Sequence, residues 1–249
     1  MKLTVLGSGT CIPSKERGSS GYLLEIKNNL ILIDCGNGTT WKLEKIGVDY
    51  LEIDHIFITH FHPDHTSDLI PFLFATKNSY DKTRTKTLTI WGPEGLREFL
   101  NNLFSVFGDW IVPEYLKIKE IEDDTSELKG FNVSIFKTLH TDNSIGYIFS
   151  DRNKKLIYTG DTGYFDELSD ISSNADFLII ECSLPELKKT EKHLSPGGII
   201  KIVNNAKPKT VLLTHLYPDT EETIKRDLIE SIDSDSEIII AKDLMRITI

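Results

Sequence analysis

HIFITHFHPDH (residues 55–65) begins as an apolar run and ends as a cluster of metal-type ligands. Residues 55–59 read as a buried strand. The strand delivers His60 and His62 two residues apart, so in extended backbone both imidazoles point the same way. Asp64 and His65 follow at once. Two imidazoles and one carboxylate already make a common zinc shell, so four such groups within six residues suggest two metals. Without a metal, so dense a set would be costly to cluster or bury. His55, at the start of the strand, receives no role.

Outward from this motif the pattern alternates between strands and helices. Residues 3–6, 22–26 and 30–33 read as strands, with Asn28-Asn29 as a hairpin turn between the last two. The loop 7–21 is rich in Gly and Ser and carries Lys15 and Arg17. A helix is predicted after Gly38. Leu69, Ile70, Leu73 and Phe74 recur at helical spacing, although Pro71 unsettles the start of that helix. Residues 88–91 form a strand, and Pro93 suits the first turn of a helix with the stripe Leu96, Phe99, Leu100, Leu103 and Phe104. Residues 107–119 give no assignment. Strands follow at 131–139, 144–149, 155–159, 177–180 and 211–214. Helices follow from Ser195-Pro196 and over 221–232, and short strands at 237–241 and 244–247 close the chain. The expectation is one α/β domain, 1–249, with two sheets and outer helices.

The 249 residues carry a formal net charge of −10. Nucleic-acid binding is driven by phosphate contacts to basic groups, so this balance argues against a large RNA or DNA footprint, though not against a small anionic substrate. Cys11, Cys35 and Cys182 are far apart and form no C-x-x-C pair, which fits a reducing, cytoplasmic setting. No segment reads as a signal peptide core or approaches the length of a membrane span.

Three further strands each end on a ligand-type residue: His140, Asp161 within YTGDTG, and His215. Strand ends beside loops are where α/β sheets build sites.

HFHPDH, followed by His140, Asp161 in a Gly-Asp dipeptide and His215, resembles the H-x-H-x-D-H signature and downstream ligands of the metallo-β-lactamase superfamily over nearly the whole chain. The resemblance implies a four-layer αββα sandwich. It also implies that His60, His62 and His140 hold one metal, that Asp64, His65 and His215 hold the other, and that Asp161 bridges. True lactamases typically use a cysteine in the second site; Asp161 at the matching position points away from β-lactam hydrolysis. LGSGTCIPSKERGSSGYLL, WGPEG and the ECS…KHLSP segment resemble the ribonuclease Z branch and its phosphodiesterase relatives, in which residues matching Glu181 and His193 form an auxiliary catalytic pair.

Two features depart from ribonuclease Z. Only twenty residues separate His140 from Asp161, which leaves no room for a tRNA-clamping arm. The motifs around His193 and after His215 read His-Leu-Ser and His-Leu-Tyr-Pro. The expected function is therefore a dinuclear, metal-dependent phosphodiesterase acting on small phosphodiesters, cyclic nucleotides or RNA ends. Zinc is the first choice of metal, and manganese or iron also suit the ligands. Asp64, His193 and Glu181 are the expected catalytic groups, and Lys15 and Arg17 the candidates for phosphate contact. A tRNA 3′-processing nuclease, a thioester or lactone hydrolase and a non-catalytic scaffold are the rivals. No membrane partner is expected, and a homodimer is implied by the resemblance alone.

Overall fold

In a computed structural model the described residues are 1–121 and 125–249. They fall into two compact units. Among the described residues the first comprises 1–7, 13–121 and 242–248; the second comprises 8–12 and 125–241, with 249.

The first unit holds β1 (Lys2–Gly7), β2 (Gly21–Ile26), β3 (Asn29–Cys35), α1 (Thr39–Lys45), β4 (His55–Phe57), α2 (Pro63–Thr66), α3 (Leu69–Lys77), β5 (Leu88–Gly92), α4 (Leu96–Phe107) and β6 (Leu116–Glu120). The second unit holds β7 (Ser126–Leu128), β8 (Phe131–Lys137), β9 (Ile145–Ser150), β10 (Lys155–Tyr158), α5 (Glu167–Ser172), β11 (Phe177–Glu181), α6 (Pro196–Ala206), β12 (Thr210–Thr214), α7 (Pro218–Asp227) and β13 (Glu237–Ile240). The last strand, β14 (Arg246–Thr248), returns to the first unit.

Each unit is built on one seven-stranded mixed sheet, ordered β14-β1-β2-β3-β4-β5-β6 in the first and β13-β12-β11-β10-β9-β8-β7 in the second. In the first, the pairs from β14 to β3 are antiparallel and those from β3 to β6 parallel. In the second, the pairs from β7 to β10 are antiparallel and those from β10 to β13 parallel. The inner strands β3, β5, β11 and β12 are largely apolar and buried almost throughout, as strands covered on both faces must be. Alternate residues of each sheet meet its helices. Leu32, Ile56, Ile58 and Ile90 pack with Leu43, Leu69, Phe72, Leu73, Leu96 and Leu100. Leu178, Ile180, Val211 and Leu213 pack with Leu168, Ile199, Ile202, Val203 and Ile224.

Several expectations need correction. The hairpin turns at Lys27 and Asn28, both in the left-handed region (φ 47° and 65°), a pairing that matches the twist of the strands; Asn29 already belongs to β3. The Asn29 side chain holds the turn by donating to the Ile26 and Lys27 carbonyls. The strand after His55 stops at Phe57, because the Thr59 amide turns away to the Asp34 carboxylate at 2.9 Å. Pro71 is tolerated because it stands in the first turn of α3, where no intrahelical N–H bond is lost. Pro93 precedes α4, which starts at Leu96 after Gly95 in the left-handed region. The Glu120 carboxylate accepts the Arg97 amide at 2.8 Å. The last long helix runs Pro218–Asp227, earlier than expected, with Pro at its first position. Ser195 occupies the N-cap of α6 but its hydroxyl does not cap; it donates to Glu186, whose carboxylate accepts the Gly197 amide at 2.8 Å instead. No helix among the described residues is long and apolar enough to cross a membrane.

Candidate metal centre

Beyond β4 the first unit gathers His60, His62, Asp64 and His65. His60 and His65 are buried, Asp64 is half-buried and His62 is exposed at the N-cap of α2. The imidazole centroids of His60 lie 4.7 Å from His62 and 4.2 Å from His65. His60 Nε2 and His62 Nδ1 are 3.1 Å apart, and His65 Nε2 is 3.9 Å from Asp64 Oδ2.

Asp34 organises this group, and its role was not read from the sequence. It ends the apolar run of β3, is fully buried and sits in the left-handed region at φ 55°. Its carboxylate accepts the Thr59 amide and hydroxyl and lies 2.7 Å from His65 Nδ1. The available signal was a charged residue closing the run Leu30-Ile-Leu-Ile33, since a buried carboxylate needs partners. Gly36 lets the backbone close around it: a Cβ there would stand 2.1 Å from the Asp64 carbonyl. Asp68, which also received no role, accepts the Gly38 and Thr40 amides at 3.0 and 2.6 Å and so caps α1.

The second unit brings together His140, Asp161, Glu181, His193 and His215. Asp161 is buried, and its Oδ2 lies 3.7 Å from His140 Nε2 and 3.5 Å from His215 Nε2. The far nitrogens are tied back. His140 Nδ1 donates to the Lys192 carbonyl at 3.0 Å, and His215 Nδ1 is 2.9 Å from the Ser183 hydroxyl. His215 is held at φ 54°, a strained value for a residue other than glycine. Glu181, the last residue of β11, is fully buried. It accepts the Thr162 amide at 2.6 Å and approaches His193 Nδ1 at 3.0 Å. Ligand-type atoms of Asp161, His193 and His215 lie within 4.8 Å of one another. Gly163 in YTGDTG is required by packing: a Cβ would stand 1.8 Å from the Glu191 carbonyl, displacing the segment that carries Lys192 and His193.

Neither group includes the two proposed phosphate contacts. Lys15 is exposed, whereas Arg17 is 6% exposed and buried. The basic residues Lys82, Arg84 and Lys86 serve the structure. Lys82 pairs with Asp49 at 2.8 Å, Lys86 with Asp54 at 2.9 Å, and buried Arg84 donates to the carbonyls of Leu51, Ile53, Lys86 and Thr87. His55 takes no part in the metal group. Its Nδ1 accepts the Trp91 indole N–H at 3.2 Å, and burial pushes its pKa below the usual imidazole range.

The donor set fits divalent metal. With zinc–nitrogen bonds of about 2.0–2.1 Å, neighbouring tetrahedral ligands stand about 3.3 Å apart. Four donor separations, two in each unit, run from 3.1 to 3.9 Å. Histidines with one nitrogen tied to a carbonyl or a carboxylate, as His140 and His65 are here, are what metal sites use.

Residues 1–232 match the family described as anti-Pycsar protein Apyc1. The chain belongs to that family. This Apyc1-family chain is also 27% identical to a ribonuclease Z of Borreliella burgdorferi, over 98% of this chain and 96% of the relative. It is similar to the metallo-β-lactamase fold protein YhfI of Bacillus subtilis (26% identity, TM-score 0.84, 99% of this chain and 98% of the other). It is likewise similar to the short form of human tRNase Z (25% identity, TM-score 0.81, 100% and 99%). The expected superfamily is thus shown: the Apyc1-family chain has the metallo-β-lactamase fold, and it is a metal-dependent hydrolase of the ribonuclease Z and phosphodiesterase-like group. Residues 141–160 hold only β9, β10 and their turns, so no clamping arm is inserted there.

Proposed function

We propose that this chain hydrolyses small phosphodiesters, cyclic nucleotides or RNA ends with two zinc ions. The proposed ligands are His60, His62 and His140 for one ion and Asp64, His65 and His215 for the other, with Asp161 shared. The observation that carries the proposal is the Glu181–His193 pair set beside Asp161 and His215, a proton-transfer group next to metal-type donors. Bound ions of this kind supply Lewis acidity and make water acidic enough to attack at neutral pH.

The chain's own residues do the rest. Glu181 accepts a hydrogen bond from His193 Nδ1–H and its charge offsets that of the imidazolium form, whose Nε2–H is the proton that passes to the leaving oxygen. The same N–H offsets charge on the phosphoryl oxygens before it is transferred. Asp64 orients the attacking water. Lys15 and Arg17 provide the positive charge of the 7–21 loop, Lys15 as its exposed contact. The short 141–160 segment and the net charge of −10 favour a small substrate over a folded RNA.

The relatives named ribonuclease Z support a second reading, tRNA 3′ processing. Turnover of 2′,3′- and 3′,5′-cyclic mononucleotides, set beside a tRNA precursor, separates the two. The first reading expects the cyclic nucleotides to be cleaved and the precursor to be left nearly intact. The reverse preference would replace it with the second. In either case His193→Ala should keep its metal and lose about 10²–10⁴-fold in kcat. An unchanged rate would remove the auxiliary pair from the mechanism.

A further inference from the structure

We infer that the hydroxyls of Thr59 and Ser183 are positioning residues that decide which nitrogen His60 and His215 present to a metal. The inference rests on the metal-site reading above and follows from where the protons must lie. A hydroxyl has one proton to give, and a carboxylate has none. Ser183 Oγ stands against Glu181 Oε2 and 2.9 Å from His215 Nδ1. Its proton therefore goes to Glu181, and its oxygen accepts from His215. The hydrogen of His215 is thereby fixed on Nδ1, and the Nε2 lone pair points toward Asp161, 3.5 Å away.

The first unit solves the same problem in the same way. Thr59 Oγ1 lies 3.0 and 3.1 Å from the two Asp34 oxygens and 3.0 Å from His60 Nδ1. Its proton goes to Asp34 and its oxygen accepts from His60, so that His60 Nε2 is the atom turned to His62. Each buried carboxylate thus holds one imidazole directly and one through a hydroxyl: Asp34 holds His65 and, through Thr59, His60; Glu181 holds His193 and, through Ser183, His215. The hydroxyl comes from a different place each time. Thr59 precedes its histidine, whereas Ser183 follows the carboxylate by two residues. Both relays are anchored. Thr59 donates its amide to Asp34, and the Ser183 carbonyl accepts the Thr220 hydroxyl at 2.7 Å and the Tyr217 amide at 3.3 Å, which ties it to the start of α7.

The test combines zinc affinity, by chelator competition, with histidine tautomers, by long-range ¹H–¹⁵N NMR. It uses the parent protein and the variants Ser183→Ala, Ser183→Thr, Thr59→Val and Thr59→Ser. The parent should show Nδ1–H signatures for His60 and His215. Ser183→Ala and Thr59→Val should each weaken zinc binding about 10–100-fold. Ser183→Thr and Thr59→Ser, which keep the hydroxyl, should stay within a few-fold of the parent. Unchanged affinity in both hydroxyl-free variants, or Nε2–H signatures in the parent, would overturn the relay. If either hydroxyl-free variant fails to fold, the parent tautomers and the hydroxyl-keeping variants decide alone. A parent that binds no zinc would overturn the metal-site reading instead, and its tautomers would still judge the relay.

Discussion

Cys35 and Cys182 each stand directly after a carboxylate that organises one half of the donor set, Asp34 or Glu181. Both thiols are fully buried. Burial pushes both pKa values up, and nearby carboxylates push further: Asp68 and Asp34 for Cys35, Glu181 and Glu186 for Cys182. A raised thiol pKa keeps the unreactive protonated form across the neutral range, while Cys11 is exposed. At about pH 8 the native protein should therefore give one reactive equivalent with a thiol reagent, and three after denaturation. Two or more fast equivalents in native protein would contradict the packing at these strand ends. The candidate ligands were legible at this scale because all seven sit in HFHPDH or at visible strand ends. Asp34, Thr59 and Ser183 were not. Their significance lies in bonds to residues distant in the chain, which no local spacing shows.

At the scale of elements, Arg84 fastens the loop before β5 by donating to four carbonyls, and it is 6% exposed. Arg84→Met keeps the stem but strands those carbonyls, so unfolding should become easier by about 2–4 kcal/mol, read from denaturant midpoints. A loss below half a kcal/mol would make the clamp incidental. Arg84 stands among Lys77, Lys82 and Lys86, and its partners show that composition alone cannot distinguish a ligand from a clamp. The long apolar strands were legible because they are buried on both faces. β6 was missed although Leu116-Lys-Ile-Lys-Glu120 alternates, because Trp110 and Pro113 upstream broke the pattern. β7 has three residues and α5 has six, too few for any periodicity to declare itself.

Across the whole molecule, the two units repeat one plan: three antiparallel pairings, then three parallel ones, with carboxylates and imidazoles gathered where strands end. The net charge of −10 sets what such a chain meets easily. An acidic protein with no clamping arm at residues 141–160 should bind a tRNA precursor no more tightly than non-specific complexes do, at about 10⁻⁴–10⁻⁶ M. The central claim is metal-dependent cleavage of a phosphodiester, and its most direct test is turnover of bis-p-nitrophenyl phosphate by protein of known metal content, beside a thioester. Preference for the phosphodiester, abolished by chelator and restored by zinc, is the predicted result. Protein that holds two metals per chain and cleaves the thioester but not the phosphodiester would contradict it.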